Sequence, residues 1–360
     1  MDYQSELNIK LNDQVNGLLK EMPSFAGKFF RHQKSKGLSD RTRVQYAYDM
    51  KRFFDWLKGT PGFKDLNYKT CTASDVLDKL TIDDIHDYAK TFETHMVKIK
   101  KGKNKGKMQE VEVSPALRAR RLSSLRSFYK YYFKIKEIDN DLSNIIDIPE
   151  VKVKRKKPMD KDQVSKLLEV VKNVEGLSPK SAALKKKTMN RDYAILMLLF
   201  GTGIRVSELV GLDISDIDFY DASFYVTRKG GDLDIVYFGQ EVEDALFDYI
   251  DSDRDVLLGE NSEENALFIS LRHQRMGVRS VQEMIEDCAK KAGLGGKITP
   301  HALRRTFGTN LYEETGDIYL VADALHHSSV ETTKKHYAEM SKAHKRIAAE
   351  KSSTLFKKYF

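Results

Sequence analysis

The sequence is poor in cysteine, in proline and in long apolar runs. Its two cysteines, Cys71 and Cys288, lie far apart in 360 residues and match no zinc or redox spacing. A disulfide framework is therefore excluded, and a reducing cytoplasm is the expected compartment. Seven prolines and 21 glycines leave no room for a collagen-like or low-complexity chain. No stretch approaches roughly 18 consecutive apolar residues, so no membrane span is expected. The opening MDYQSELNIKLNDQ is acidic and polar, unlike a secretory leader. HExxH is absent, and GKNKGK at 102–107 has neither the spacing nor the Ser/Thr of a phosphate-binding loop. No metal, nucleotide or other cofactor is expected.

What is present is a chain that is 41% apolar and 32% charged, enough for two packed cores of roughly 150 residues each. The charge is unevenly spread. Residues 1–158 carry 33 Lys+Arg against 21 Asp+Glu, a net of +12, whereas residues 159–360 carry 28 against 32, a net of −4. A basic half of this kind fits a polyanion partner, nucleic acid above all, and equally fits a solvated basic face.

Along the chain, residues 1–20 read as an amphipathic lead-in helix. Residues 22–36 read as a helix with Phe25, Phe29 and Phe30 on one side. In SDRTRVQYAYDMKRFFDWL, Ser39 or Asp40 caps a helix whose Tyr46, Met50, Phe53 and Leu57 recur at helical spacing. Residues 59–78 read as a loop. TIDDIHDYAKTFETHMVKI (81–99) reads as one helix, capped by Thr81 with Asp84 three residues on. The basic segment 100–115 reads as a hairpin or flexible loop. SPALRARRLSSLRSFYKYYFKIK is a strong helix with Ser114 as cap, Pro115 at its first position and a stripe of Leu122, Leu125, Phe128 and Tyr132. The expected organisation is the lead-in helix 1–20, an all-helical domain 21–145, a basic linker 146–158, an α+β domain 159–340 and a tail 341–360. The fold class is mainly α with a small β-sheet. In the second domain, 160–175 is a helix and 176–189 a polar loop. NRDYAILMLLFGTG is a buried helix and RVSELVGL begins another. FYVTRKGGDLDIVYF is a hairpin, with Phe224 and Val226 on one strand, Leu233, Ile235 and Tyr237 on the other, and Lys229-Gly230-Gly231 at the turn.

Four pieces of the second domain carry chemistry. In GTGIRVSEL, Arg205 stands at a helix start behind two glycines, a setting that suits a phosphate. Lys229 at a hairpin tip can deliver a charge or a proton. In ITPHALRRTFGT, Thr299 and Pro300 open a helix, and His301 and Arg304 share a face in its first turn, at the positive end of the dipole. LHHSSVETTKKHYAEM brings His326, His327, His336 and Tyr337, without the Asp, Glu or Cys spacing of a metal site.

Taken in order, these boxes resemble the tyrosine recombinases, also called phage-type integrases, including the Xer-like resolvases. LSDRTRVQYAYDMKRFFDWL and SPALRARRLSSLRSFYKYYF are similar to that family's core-binding helices. RDYAILMLLFGTGIRVSELVGLDISDID, HALRRTFGTNL and LHHSSVETTKKHY are similar to its catalytic boxes. The resemblance implies that Arg205 and Arg304 clamp the scissile phosphate, and that Lys229 protonates the leaving 5′ oxygen. It implies that His301 is the acid/base partner, that His327 hydrogen-bonds the phosphate, and that Tyr337 becomes a 3′-phosphotyrosine. Glu208 then orients Arg205. The chain departs from the family pattern in three places. His326 replaces a usual glycine, so either histidine can take the phosphate role. His327 to Tyr337 spans ten residues where nine is commoner. The hairpin tip RKGGD makes Arg228 a rival to Lys229.

Residues 94–130 hold eleven Lys/Arg against two Glu. Arg118, Arg120, Arg121 and Arg126 are expected to meet DNA from the helix face opposite its apolar stripe, with Arg41, Arg43, Arg275 and Arg279 as further contacts. By the resemblance, the expected partner is double-stranded DNA with inverted-repeat core sites. The expected assembly is a homotetramer on two DNA sites, joined by exchange of the tail bearing Leu355, Phe356, Tyr359 and Phe360. The expected function is site-specific recombination, without metal or ATP, in integration, excision or dimer resolution. A catalytically inactive DNA-binding regulator on the same scaffold and a type IB topoisomerase-like enzyme are the alternatives.

Overall fold

A computed structural model of the chain describes residues 3–98, 106–151, 157–228, 232–260, 263–296 and 298–326. The chain divides into two compact units, Met1–Lys154 and Arg155–Phe360. The described residues are mostly helical, with two small antiparallel sheets among them. Among the described residues no helix is long and apolar enough to cross a membrane.

The first unit is built from helices α1 (Tyr3–Leu19), α2 (Ala26–Ser35), α3 (Asp40–Leu57), α4 (Ala73–Leu77), α5 (Ile82–Lys90) and α6 (Pro115–Lys134), with strands β1 (Thr94–Lys98) and β2 (Met108–Glu112) between α5 and α6. The Ser39 side chain accepts from the Thr42 N–H and starts α3. Ser114 accepts from the Leu117 N–H and starts α6, whose first residue is Pro115. The apolar stripes meet in an aromatic core. Phe25 packs edge-on against Phe54 and Tyr132, with centroids 5.9 and 5.4 Å apart, and Phe29 against Phe128 at 5.0 Å.

Three expectations for this unit are corrected. The 59–78 loop contains α4, started by a reciprocal cap in which Thr72 accepts from the Asp75 N–H and Asp75 accepts from that of Thr72. The 81–99 helix begins as expected, with the same reciprocal cap between Thr81 and Asp84, but ends at Lys90. From Thr94 the chain is extended and pairs with β2, Thr94 opposite Glu112 and Lys98 opposite Met108. The unit is therefore not all-helical, and half of its hairpin comes from residues read as helix.

The second unit holds α7 (Lys161–Lys172), α8 (Pro179–Lys186), α9 (Met189–Thr202), α10 (Val206–Leu209), β3 (Ile217–Asp218), β4 (Ser223–Thr227), β5 (Leu233–Tyr237), α11 (Gln240–Tyr249), α12 (Asp255–Leu258), α13 (Val278–Lys291), α14 (Pro300–Thr315) and α15 (Ile318–Ala324). Helix α8 lies within the stretch read as a polar loop; Ser178 caps it and Pro179 begins it. The sheet has the order β3-β4-β5, with Phe224 opposite Val236 and Val226 opposite Asp234. Phe224 and Val226 are buried. On β5 Val236 is buried, while the alternating Leu233, Ile235 and Tyr237 are exposed. Pairing puts Asp234 and Val236 on the face of Val226 and Phe224, and Asp234 is held there by a charged partner. Both cysteines are buried.

Candidate active site

Helix α9 is buried along Ala194, Ile195, Leu198 and Leu199 and stops at Gly203, whose left-handed φ of +63° caps it. That turn accepts only glycine for two reasons. A Cβ at Gly203 would also stand 2.3 Å from the Phe307 ring, and one at Gly201 would stand 2.4 Å from Val242. The tight exit delivers Arg205 to the start of α10. There Glu208 reaches back, its Oε2 accepting from the Arg205 N–H at 2.8 Å and its Oε1 from the Arg205 guanidinium at 2.7 Å. Glu208, expected to orient Arg205, thus contacts both its main chain and its side chain.

Arg304 comes to the same place from α14. It is 5% exposed. Its guanidinium donates to the Gly203 carbonyl and to the Leu325 carbonyl. Arg205, with a side chain 38% exposed, donates to the next carbonyl, that of His326, at 3.2 Å. The turn after α15 thus draws both guanidiniums to consecutive peptide oxygens. Arg205 and Arg304 are 99 residues apart in sequence and meet in one place, a concentration of positive charge suited to a phosphodiester. His301 is exposed in the first turn of α14, one turn ahead of Arg304.

Two residues here were not assigned to the site from sequence. Arg228, weighed only as a rival to Lys229, is 5% exposed. It donates from one terminal nitrogen to Glu208 Oε2 at 2.8 Å and from Nε to Asp234 Oδ2 at 2.9 Å. Asp234 Oδ2 in turn lies 3.2 Å from His326 Nδ1. His326 adopts a left-handed φ of 45°. The signal for Asp234 was its alternation with Val236, a carboxylate on the inward side of a strand. Lys229, His327 and Tyr337, and the whole tail 341–360, lie outside the described residues.

The arginines expected to hold DNA divide sharply. Arg41 is exposed. Arg43 is 4% exposed and donates to Asn12 Oδ1 and Asp40 Oδ1, so it is an interior pin. Arg121 is 9% exposed and lies 5.0 Å over the Phe92 ring; it is on the packed side of α6, not opposite it. Arg126 donates to the Ile146 carbonyl, and Arg118 is half-buried beside Leu122 and Ile146. Arg120 is half-exposed and pairs with the buried Asp49 at 2.8 Å. Burial raises the Asp49 carboxyl to about 6, against the pull of Arg120. Arg275 donates to the carbonyls of Val210 and Leu212 and to Asp213, bracing the end of α10. Arg279 is exposed beside Glu283. The buried tyrosines of the first unit are also out of reach: Tyr132 donates to the Phe25 carbonyl, and burial raises its phenol.

A family model described as the phage integrase family matches residues 157–344. The tyrosine recombinase XerD of Oceanobacillus iheyensis is 30% identical over 308 residues, covering 86% of this chain and 90% of that protein. The tyrosine recombinase XerC of Thermodesulfovibrio yellowstonii is 36% identical over 220 residues, 60% of this chain and 68% of that protein. Among solved structures, the XerH site-specific recombinase bound to palindromic difH substrate in a post-cleavage complex has a TM-score of 0.59 at 17% identity, over 88% of this chain and 82% of that one. A lambda integrase tetramer bound to a Holliday junction has a TM-score of 0.57 at 17% identity, over 86% and 76%. At these identities the structural likeness speaks for the fold.

Proposed function

The chain belongs to the phage integrase family, the tyrosine recombinases, and on that premise we propose how its site cuts and rejoins DNA. It is a site-specific recombinase, a DNA strand transferase, and its partner is DNA. The observation that carries the mechanism is the meeting of Arg205 and Arg304 on the carbonyls of Gly203, Leu325 and His326.

The two guanidiniums bind the non-bridging oxygens of the scissile phosphate and neutralise the charge that builds there. The Tyr337 hydroxyl attacks phosphorus in line. A phenol of pKa about 10 needs these cations and a base to react near pH 7, and His301 takes its proton. The P–O5′ bond breaks, and Lys229 gives a proton to the departing 5′ oxygen. The product is a 3′-phosphotyrosine and a free 5′ hydroxyl. Attack by a 5′ hydroxyl from a second duplex reverses the steps and joins the strands. One phosphodiester replaces another, so the exchange draws on no ATP. His327 hydrogen-bonds the phosphate, with His326 as the alternative.

Arg41, Arg120 and Arg279 are the arginines whose exposure favours DNA contact. The working assembly is a homotetramer on two sites with inverted-repeat cores, held by the 341–360 tails docking between protomers. The lambda integrase tetramer on a Holliday junction supports this reading. The cytoplasm is its compartment.

The test is a trapping assay with nicked duplexes from the protein's genomic neighbourhood, in EDTA. A covalent adduct that vanishes in Tyr337→Phe is expected. An adduct that persists in the variant moves the nucleophile elsewhere. Salt-sensitive binding with no adduct on any site favours an inactive regulator. Relaxation without strand exchange favours a topoisomerase.

A further inference from the structure

We propose that Arg228 is a positioning residue for strand cleavage, holding Arg205 in place through Glu208. The inference rests on the reading that Arg205 binds the scissile phosphate.

The bonds around Arg228 close a ring. Arg205 donates to Glu208 Oε1 at 2.7 Å; Arg228 donates to Glu208 Oε2 at 2.8 Å and to Asp234 Oδ2 at 2.9 Å. Asp234 Oδ2 lies 3.2 Å from His326 Nδ1, and the His326 carbonyl accepts from Arg205 at 3.2 Å. The inner members are dry, with side chains 3% exposed for Arg228 and 6% for Glu208, while those of Arg205 and His326 are 38% and 46% exposed. The ring is thus buried on the Arg228 side and open on the Arg205 side, where a phosphate arrives.

Two physical consequences follow. Glu208 Oε2 also accepts from the Arg205 N–H at 2.8 Å, so Arg228 adds a third bond to the carboxylate from its buried side. That bond stiffens the Glu208 plane, and with it the Arg205 guanidinium bonded to Oε1. The second consequence is charge. Glu208 shared between two arginines leaves Arg205 with uncompensated positive charge for the substrate. Without Arg228 the whole carboxylate charge falls on Arg205, in a site where little water screens it. Asp234 balances Arg228, which keeps that buried cation from repelling Arg205. The positions at which the sequence departs from its family's pattern, Arg228 in the hairpin tip and His326 in place of glycine, are joined in space by Asp234. Arg228 also immediately precedes Lys229, so the same bonds anchor the strand end from which that lysine departs.

The experiment measures single-turnover cleavage of a nicked trapping substrate at saturating protein, with Kd measured separately. Arg228→Met is expected to slow cleavage about 10- to 100-fold with Kd unchanged, a loss confined to the bound complex. Arg228→Lys, which restores one bond to Glu208, is expected to recover part of the rate. In an Arg205→Ala background, Arg228→Met is expected to cost nothing further. Cleavage by Arg228→Met at the wild-type rate overturns the inference, and so does an equal loss in the Arg205→Ala background. If Arg228→Met does not fold, Asp234→Asn decides: it frees the outer anchor of Arg228 and leaves Glu208 paired. Slowed cleavage at unchanged Kd supports the ring, and an unchanged rate overturns it. A wild-type chain that forms no adduct overturns the reading of the activity itself.

Discussion

Arg304 donates to the main-chain carbonyl of Gly203, 101 residues earlier in the chain. That bond ties α14 to the turn that launches Arg205, so the backbone ahead of Arg205 places the Arg304 guanidinium. The turn exists in this form because residue 203 has no side chain.

Gly203→Ala tests that dependence. The substitution puts an L-residue at a φ of +63° and a methyl 2.3 Å from the Phe307 ring. A loss of about 2 to 4 kcal/mol is expected from the left-handed backbone and the overpacking together. Thermal unfolding should show a lower Tm, and cleavage should fall because Arg205 is displaced. A variant as stable as wild type would show that the turn relaxes freely.

Arg41 and Arg43 are two residues apart, and the structure separates their roles. Arg41→Ala should weaken DNA binding and reduce the slope of log K against log salt by about one, with Tm unchanged. Arg43→Ala should leave that slope alone and lower Tm, because Arg43 bonds Asn12 and Asp40 in the interior. The two substitutions are compared in one salt titration and one melting series.

Asp49 makes stability depend on pH in an unusual direction. Burial raises its carboxyl to about 6 in the folded chain from 3.8. Between about pH 4 and pH 6 the folded state keeps a proton that the unfolded state has released. The folded state then binds more protons, so this group's contribution to stability falls as pH rises through that window and is flat above it. The difference amounts to roughly 2–3 kcal/mol. Urea unfolding at a series of pH values should show wild type losing stability relative to Asp49→Asn across pH 4 to 6. Parallel curves would show that the carboxyl titrates normally.

Arg191 and Asp192 form a buried pair at 2.7 Å, with Arg191 also donating to the Ile269 carbonyl at 2.8 Å. Arg191→Met leaves the Asp192 charge in the interior without that partner. A loss of about 3 kcal/mol or more is expected, read as a lower urea midpoint, and Asp192→Asn in the same chain should recover part of it.

Capped helices were legible because the caps are local. Ser39, Thr81 and Ser114 each stop a nearby N–H with their own oxygen, and no distant residue is needed. The 81–99 segment misled because its later half, THMVK, earns its strand by pairing with residues 108–112, a partner that periodicity over a short run does not reveal. On β5 the alternating apolar set Leu233, Ile235 and Tyr237 lies on the exposed face. Val236 is buried on the other, and Asp234 shares that face to meet Arg228, so a polar network outweighs the hydrophobic pattern there. At the candidate site, motif and spacing singled out Arg205, Glu208 and Arg304, and the fold brings these three together. The ring through Arg228 and Asp234 was not legible, since its members come from three separate stretches of chain. The buried Arg121 of α6 was misplaced because charge alone does not tell a helix's wet side from one where a guanidinium lies over Phe92.

The two buried cysteines make the chain a quiet background for thiol chemistry. Burial raises the Cys71 thiol, and it raises that of Cys288 to about 11, so neither supplies much thiolate near neutral pH. A cysteine introduced at an exposed position such as Glu6 or Tyr220 then becomes the preferred target of a maleimide dye. One such label in each unit turns the unmodified scaffold into a fluorescence ruler for the distance between the units, with and without DNA.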